Sequence, residues 1–214
     1  MFVPEQYRQP DNSWMVDLIR RNPLALLATN GSPQNGPFAT HLPVIPDPAM
    51  TGEWAEYLSG ATLLGHMNRQ NPHWTSLQAG QTVLLAFTGP HGYVSPTVYK
   101  KSPAAPTWNF TSVHVHGTVE KIESIEDTLE VVKATVQAFE AGLGTGWNMT
   151  DSLGYFRQIV PGVGAFRVTV TGAEGMFKLS QEQAPEVRER VQQSFAQRAC
   201  GGHRETAELM SRLP

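Results

Sequence analysis

The sequence has little of what several protein classes require. It contains one cysteine, Cys200, so neither an intrachain disulfide nor a thiolate metal cluster can form, which fits a reducing compartment. Charged residues make up only 16%, with a net charge of −3 and a pI near 6.2, so no basic footprint points to nucleic acid. No apolar run is long enough to span a bilayer, and Met1-Phe-Val-Pro-Glu5 lacks the basic and apolar regions of a secretion signal. The expectation is a soluble cytoplasmic protein. Also missing are a G-x-S-x-G elbow, a Walker loop, an H-E-x-x-H pair and a G-x-G-x-x-G run after a strand. Gly142-Leu-Gly-Thr-Gly146 is no substitute, because it follows a helical pattern and lacks the phosphate-binding lysine.

What is present describes one globular chain of 214 residues. Hydrophobics reach 40%, and the 19 glycines and 16 prolines imply many turns, favouring β-rich structure over a helical bundle. Asp11-Asn-Ser13 caps a helix in which Trp14, Val16, Leu18 and Ile19 share much of one face. Strands are expected at Leu24 to Thr29 and Phe38 to Ile45, with Asn30-Gly31 as a tight turn and Pro43, Pro46 and Pro48 breaking the return. A short strand at Thr62 to Leu64 delivers Gly65 and His66 at its exit. Thr82 to Phe87 runs into a turn, Gly89-Pro-His-Gly92, that His91 decorates, and Tyr93 to Ser95 leaves it. Further strands are expected at Val113 to Ile122, Val163 to Val170 and Gly172 to Lys178. Between them lies a helix, Glu126 to Ala141, opened by the capping residues Ser124 and Asp127, with a core stripe of Leu129, Val132, Val136 and Phe139. A short helix at Asp151 to Ile159 and two C-terminal ones, from Glu186 and from Glu205, complete the order. Antiparallel strands in this number, with capping helices, suggest a small closed or nearly closed barrel.

Chemistry concentrates in three stretches. In Ala61 to Trp74, the neutral imidazole of His66 can bind a metal or shuttle a proton, and Arg69 can meet an anionic group of a cofactor. The bland alternative for His66 is a hydrogen-bonded histidine at a strand end. Tyr99 to Phe110 runs paired lysines into a proline-rich loop. Lys100 and Lys101 there either hold a carboxylate or phosphate or form a solvated edge, and Trp108 is either a cofactor floor or core. In Val113-His-Val-His-Gly117, alternation puts His114 and His116 on one strand face, as cavity-lining or hydrogen-bonding groups before metal ligands. His41 is read as structural.

Taken together, Gly65-His66…Asn71-Pro72-x-Trp74, Phe87-x-Gly89-Pro90-His91-x-Tyr93-x-Ser95, Pro106-Thr-Trp-Asn-Phe110, His114-x-His116-Gly117 and Lys178-Leu-Ser-Gln181 resemble the PaiB family. Its members are commonly labelled FMN-binding negative transcriptional regulators. The resemblance implies an α+β, mainly β split barrel of the flavin-reductase-like kind over residues 1–181, with 182–214 as a helical extension of the same domain. It also implies a homodimer with the ligand pocket at the subunit interface. The opening Met1 to Arg8, Ser13 to Arg21 and Leu24-Ala-Leu-Leu27 look similar to the piperazate synthase branch, which binds haem b. Two departures from the regulators agree: Glu182-Gln183 after Lys-Leu-Ser-Gln, and the longer stretch with Lys100-Lys101-Ser-Pro-Ala-Ala.

That likeness implies a haem-dependent cyclase, forming the N–N bond of L-piperazic acid from N-hydroxylated ornithine with loss of water. His66 is then the iron's axial ligand, Arg69 meets a propionate, and Trp108, with Asn109 beside it, faces the cofactor. Lys100 takes the substrate carboxylate or a second propionate, while Tyr93, His114 and His116 are candidates for the base. The rivals are a flavin-dependent oxidoreductase holding FMN and a ligand-sensing regulator without catalytic activity.

Overall fold

The computed structural model describes residues 1–31, 36–50 and 58–213. Its strands are β1 (Leu24–Thr29), β2 (Phe38–Pro46), β3 (Thr62–Asn68), β4 (Thr82–Val94), β5 (Thr107–Ile122) and β6 (Val163–Lys178). They close into a barrel in the order β1-β2-β3-β6-β5-β4. The helices are α1 (Asn12–Arg21), α2 (Pro72–Ser76), α3 (Pro96–Tyr99), α4 (Ile125–Leu143), α5 (Leu153–Ile159), α6 (Pro185–Ala196) and α7 (Gly201–Ser211). The chain forms two compact units. One comprises Met1–Arg21, Thr88–Val113 and Glu174–Pro214; the other comprises Asn22–Phe87 and His114–Ala173. The C-terminal helices expected as an extension belong to the first unit.

The second unit is organised by β3. Its antiparallel ladder with β6 runs without a break from Thr62 opposite Thr169 to Asn68 opposite Val163. Side chains alternate between faces, so Leu63, Gly65 and Met67 point one way and Leu64 and His66 the other. The first set pairs with Phe166 and Val168, and a Cβ at Gly65 would come within 2.6 Å of the Phe166 ring. The second face is covered by α4: Leu64 clusters with Ile45, Ile122, Ala165 and Val131, with Ala134 and Phe139 packed against them. Burying each such aliphatic side chain contributes roughly 1.5–3 kcal/mol. Ser124 caps α4 by accepting from Asp127 N at 3.1 Å, as its sequence suggests. The buried stripe, however, is Thr128, Leu129, Val131 and Thr135, while Val132 and Val136 lie half-buried beside it.

In the first unit, α1 buries Trp14, Met15, Val16, Leu18 and Ile19. Trp14 meets Phe177 edge to face at 5.4 Å. Arg190 of α6 donates to the carbonyls of Val98 and Tyr99, satisfying the end of α3.

Several expectations need correction. The β1–β2 connection is not a two-residue turn at Asn30-Gly31: Thr29 pairs with Phe38, so the loop runs through Pro37, part of it outside the described residues. Pro43 does not break its strand. It sits opposite Leu24 where β2 changes partner, its pairing with β3 starting at Val44. Gly89-Pro-His-Gly92 is not a turn but the middle of β4. Its glycines provide close approach instead: a Cβ at Gly89 would strike Thr111 Oγ1 and Leu18, and one at Gly92 would strike Phe195 and His203. The two strands expected between Val163 and Lys178 are one continuous β6. Trp108-Asn-Phe110 opens β5 and does not close a loop, and Gly201-Gly202 begin α7 and do not precede it.

Gly164 offers a direct check on the packing. A Cβ there would lie 2.5 Å from indole carbons of buried Trp74, whereas one at Gly162 would meet nothing within 4 Å. Gly164→Ala should cost about 1–3 kcal/mol through overpacking, and Gly162→Ala less than about 0.5 kcal/mol. Urea unfolding of both variants measures the difference.

Candidate functional site

His66 lies within β3 and not at its exit, because the ladder to β6 continues two residues past it. It is half-buried and stands opposite Ala165, on the face that Leu64 presents to α4. Its Nδ1 is buried and has no hydrogen-bond partner. Burial pushes its pKa below the ordinary 6.5, so the ring is neutral near pH 7 and keeps a lone pair. This differs from the satisfied strand-end histidine of the bland alternative.

Arg69 follows where β3 ends. Its backbone N donates to Gly162 O at 2.9 Å and its Nε to Val163 O at 2.7 Å, which fixes the guanidinium against the start of β6. Its Nη2 is buried without a partner. The guanidinium carbon lies 5.7 Å from the centroid of the Trp74 ring. Two buried polar atoms without partners thus sit three residues apart, one a neutral nitrogen donor and the other a cation.

What holds this stretch in place is His73, which lies inside the quoted Gly65–Trp74 motif but was assigned no role from sequence. It is only 1% exposed. Its Nε2 is 2.9 Å from Thr29 Oγ1 and its Nδ1 2.8 Å from Thr40 Oγ1, and the ring stacks on Phe38 at 5.3 Å. A neutral imidazole between two hydroxyls satisfies both nitrogens, since each hydroxyl can donate or accept. Asn71 caps α2 by accepting from His73 N at 2.9 Å and donates to Thr40 Oγ1 at 3.3 Å. The local signal was Asn-Pro before a short helix; the threonine partners lie too far away in sequence to be read.

His114 and His116 share the face of β5 that ends in Ile122, itself part of the cluster under α4. Both are half-buried. Among the described residues, no group of three or more His, Cys, Asp or Glu could hold a metal ion.

The remaining candidates fall in the first unit. Trp108 is 49% exposed and so is not core; its Nε1 donates to His91 Nδ1 at 3.3 Å, and the Tyr93 ring, 45% exposed, is tilted against it at 6.1 Å. An indole N–H only donates, so His91 accepts at Nδ1. Asn109 is fully buried, donating to Ser180 Oγ at 3.0 Å and accepting from the same hydroxyl at 3.1 Å. Lys178 Nζ likewise donates to Thr107 Oγ1 at 2.7 Å, so the Pro-Thr-Trp-Asn and Lys-Leu-Ser-Gln motifs lock to one another. Lys100 is exposed, with φ of 51° at the end of α3. Lys101 Nζ donates to Gln183 Oε1 at 3.1 Å. The two departures from the regulator pattern therefore meet in space.

A closed six-stranded, mainly antiparallel barrel with flanking helices is the flavin-reductase-like split-barrel class, and solved structures bear that out. The chain is similar to the flavocytochrome Anf3 from Azotobacter vinelandii, with a TM-score of 0.60 at 15% identity over 86% of this chain and 75% of that one. It is also similar to the FAD and heme binding protein from Mycobacterium smegmatis, with a TM-score of 0.58 at 17% identity over 85% and 78%. The profile of the family described as "Putative FMN-binding domain" matches residues 1–172, and the chain belongs to that family. Among curated proteins it is 25% identical over 183 residues to the protease synthase and sporulation protein PAI 2 of Bacillus subtilis, covering 85% of this chain and 82% of that protein. It is 28% identical to an uncharacterised protein of Aspergillus fumigatus, covering 85% of each. No helix among the described residues is long and apolar enough to cross a membrane.

The buried histidines predict an acid sensitivity. Burial lowers the pKa of both His66 and His73 from 6.5. Below about pH 6.5 the unfolded chain accepts protons that the folded chain refuses. Their contribution is therefore fully present above 6.5 and is lost as the pH falls toward the depressed folded-state values. Urea unfolding between pH 8 and pH 5 should show constant stability at the alkaline end and a decline at the acid end, smaller in His73→Gln. Stability rising on acidification would contradict this.

Proposed function

We propose that this protein binds haem b through His66 and catalyses the dehydrative cyclisation of N-hydroxylated L-ornithine to L-piperazic acid. The observation that carries the first half is the pair of buried atoms without partners, His66 Nδ1 and Arg69 Nη2. They fit haem: a neutral imidazole would suit its iron, and a fixed guanidinium would suit a propionate. Both stand on rigid structure, His66 inside a ladder and Arg69 tied to Gly162 and Val163. The second half rests on the sequence likeness to the haem-dependent branch, whose two distinguishing segments touch at Lys101 and Gln183.

When bound, ferric haem supplies Lewis acidity toward a hydroxylamine N–O bond. In the overall reaction the α-amine nitrogen bonds to the hydroxylated δ-nitrogen, the N–O bond breaks and oxygen departs as water. Electrons balance within the substrate, so no reductant is consumed. The amine must be unprotonated to attack and sheds a proton on bonding; His114, His116 and Tyr93 are the candidate acceptors. Lys100, exposed where α3 ends, is assigned the substrate carboxylate. Holding the two nitrogens in a near-attack arrangement supplies much of the acceleration in such ring closures. The reading includes the homodimer and interfacial pocket that the resemblance implies.

A second reading, favoured by the family's description, is an FMN-binding protein in which Arg69 and Lys100 meet the phosphate. The visible spectrum after haem-replete expression separates the two, by an intense Soret band or by paired flavin bands. His66→Ala should lose stoichiometric haem and remain folded; normal loading would refute the ligand assignment. Incubating the wild-type protein with N-hydroxylated ornithine, without NAD(P)H or oxygen, should give a cyclic product lighter by one water. A requirement for a reductant would overturn the cyclisation.

A further inference from the structure

Away from β3, another side chain keeps a buried polar atom without a partner beside a cavity. Glu140 lies in the last two turns of α4, half-buried, and its Oε2 has no hydrogen-bond partner. A cavity of about 390 Å³ lies between those turns and residues 146–150, with Val136, Glu140, Trp147 and Met149 in its walls. Glu140 is the one charged residue in that lining, and no lysine, arginine or histidine takes part.

Three features give the cavity one electrical sign. The first is the unmet carboxylate oxygen. The second is the helix end: α4 runs for 19 residues, its last turn carries no basic residue, and its final carbonyls present the negative end of the helix dipole. The third is Trp147, 48% exposed, whose indole face is the negative part of its quadrupole. Both walls are fixed. A Cβ at Gly144 would strike Glu140 Oε2, so the glycine leaves the room that the oxygen fills, while Gly144 N donates to the Phe139 and Glu140 carbonyls at 3.2 Å each. Opposite, Asn148 Oδ1 accepts from Thr150 N at 2.9 Å and from Thr150 Oγ1 at 2.6 Å, and the Trp147 ring tilts against Phe156 at 6.4 Å.

A carboxylate and an indole face at the negative end of a helix suit an ammonium group, and Val136 and Met149 add apolar surface for the carbon chain that bears it. We propose that this cavity binds a small primary ammonium compound, its N–H donors on Glu140 and its charge against Trp147. A metal ion fits less well, since among the described residues no group of three or more His, Cys, Asp or Glu could hold one. The site uses none of the residues assigned above to haem or FMN, so it stands or falls apart from both readings.

The test reads the indole N–H of Trp147 by heteronuclear NMR of the full chain, its cross-peak being the one lost in Trp147→Phe. n-Butylamine, charged at pH 7, n-butanol and butyrate are each titrated to about 20 mM, well past a millimolar Kd, with KCl holding the ionic strength constant. The amine should shift that peak saturably, while butanol and butyrate leave it in place. Glu140→Gln, which keeps the shape and removes the charge, should bind the amine at least about tenfold more weakly, the size of one charge-assisted hydrogen bond. If butanol shifts the peak as the amine does, the cavity recognises apolar shape alone and the proposal fails. It fails equally if the amine produces no shift, or if folded Glu140→Gln matches wild type. The wild-type series decides the matter even where Glu140→Gln does not fold.

Discussion

The register between β3 and β6 is the constraint on which the site depends. A slip of one residue would exchange the faces of β3, moving His66 onto the side occupied by Phe166 and Val168. Close packing resists that slip. Gly65 must lie against the Phe166 ring, where no side chain fits, and Leu64 must reach the Ile45–Ile122–Val131–Ala165 cluster beneath α4. The same ladder ends at Asn68 opposite Val163, which brings the Arg69 guanidinium to the Val163 carbonyl. One stretch of backbone pairing thus sets both the neutral donor and the cation.

The electrostatic character follows from that placement. Desolvation disfavours the imidazolium, so His66 stays neutral without a partner to hold it so. Arg69 keeps an unmet donor, its buried Nη2. Buried polar atoms without partners cost free energy in a folded chain, and such costs are tolerated where a ligand supplies what is missing. His73 shows the contrasting case seven residues further on. There burial is deeper, yet both ring nitrogens meet hydroxyls, and the residue anchors the chain.

The fold and the site were unequally legible from sequence. Alternation and composition gave the barrel, α1, β1 and the cap of α4, because these depend on local pattern. The Gly-Pro-His-Gly segment reads as a turn in sequence because glycine marks both turns and close approaches; only the positions of Thr111, Leu18, Phe195 and His203 decide between them. The long β6 reads as two strands for the same reason, at Gly172. The hydrogen bond of Asn109 to Ser180, 71 residues away, has no local signal. His66 and Arg69 were legible as a motif. Their lack of partners depends on strands that are distant in sequence.

Chemical rescue at position 66 tests the central claim most directly. His66→Gly, prepared without haem and titrated with haemin, leaves an imidazole-sized gap where the His66 ring stands. The account predicts little haem capture alone and recovery of the wild-type Soret band when free imidazole is added, with no such effect of imidazole on Arg69→Met. Full capture by His66→Gly without imidazole, with an unchanged spectrum, would show that the iron is held elsewhere.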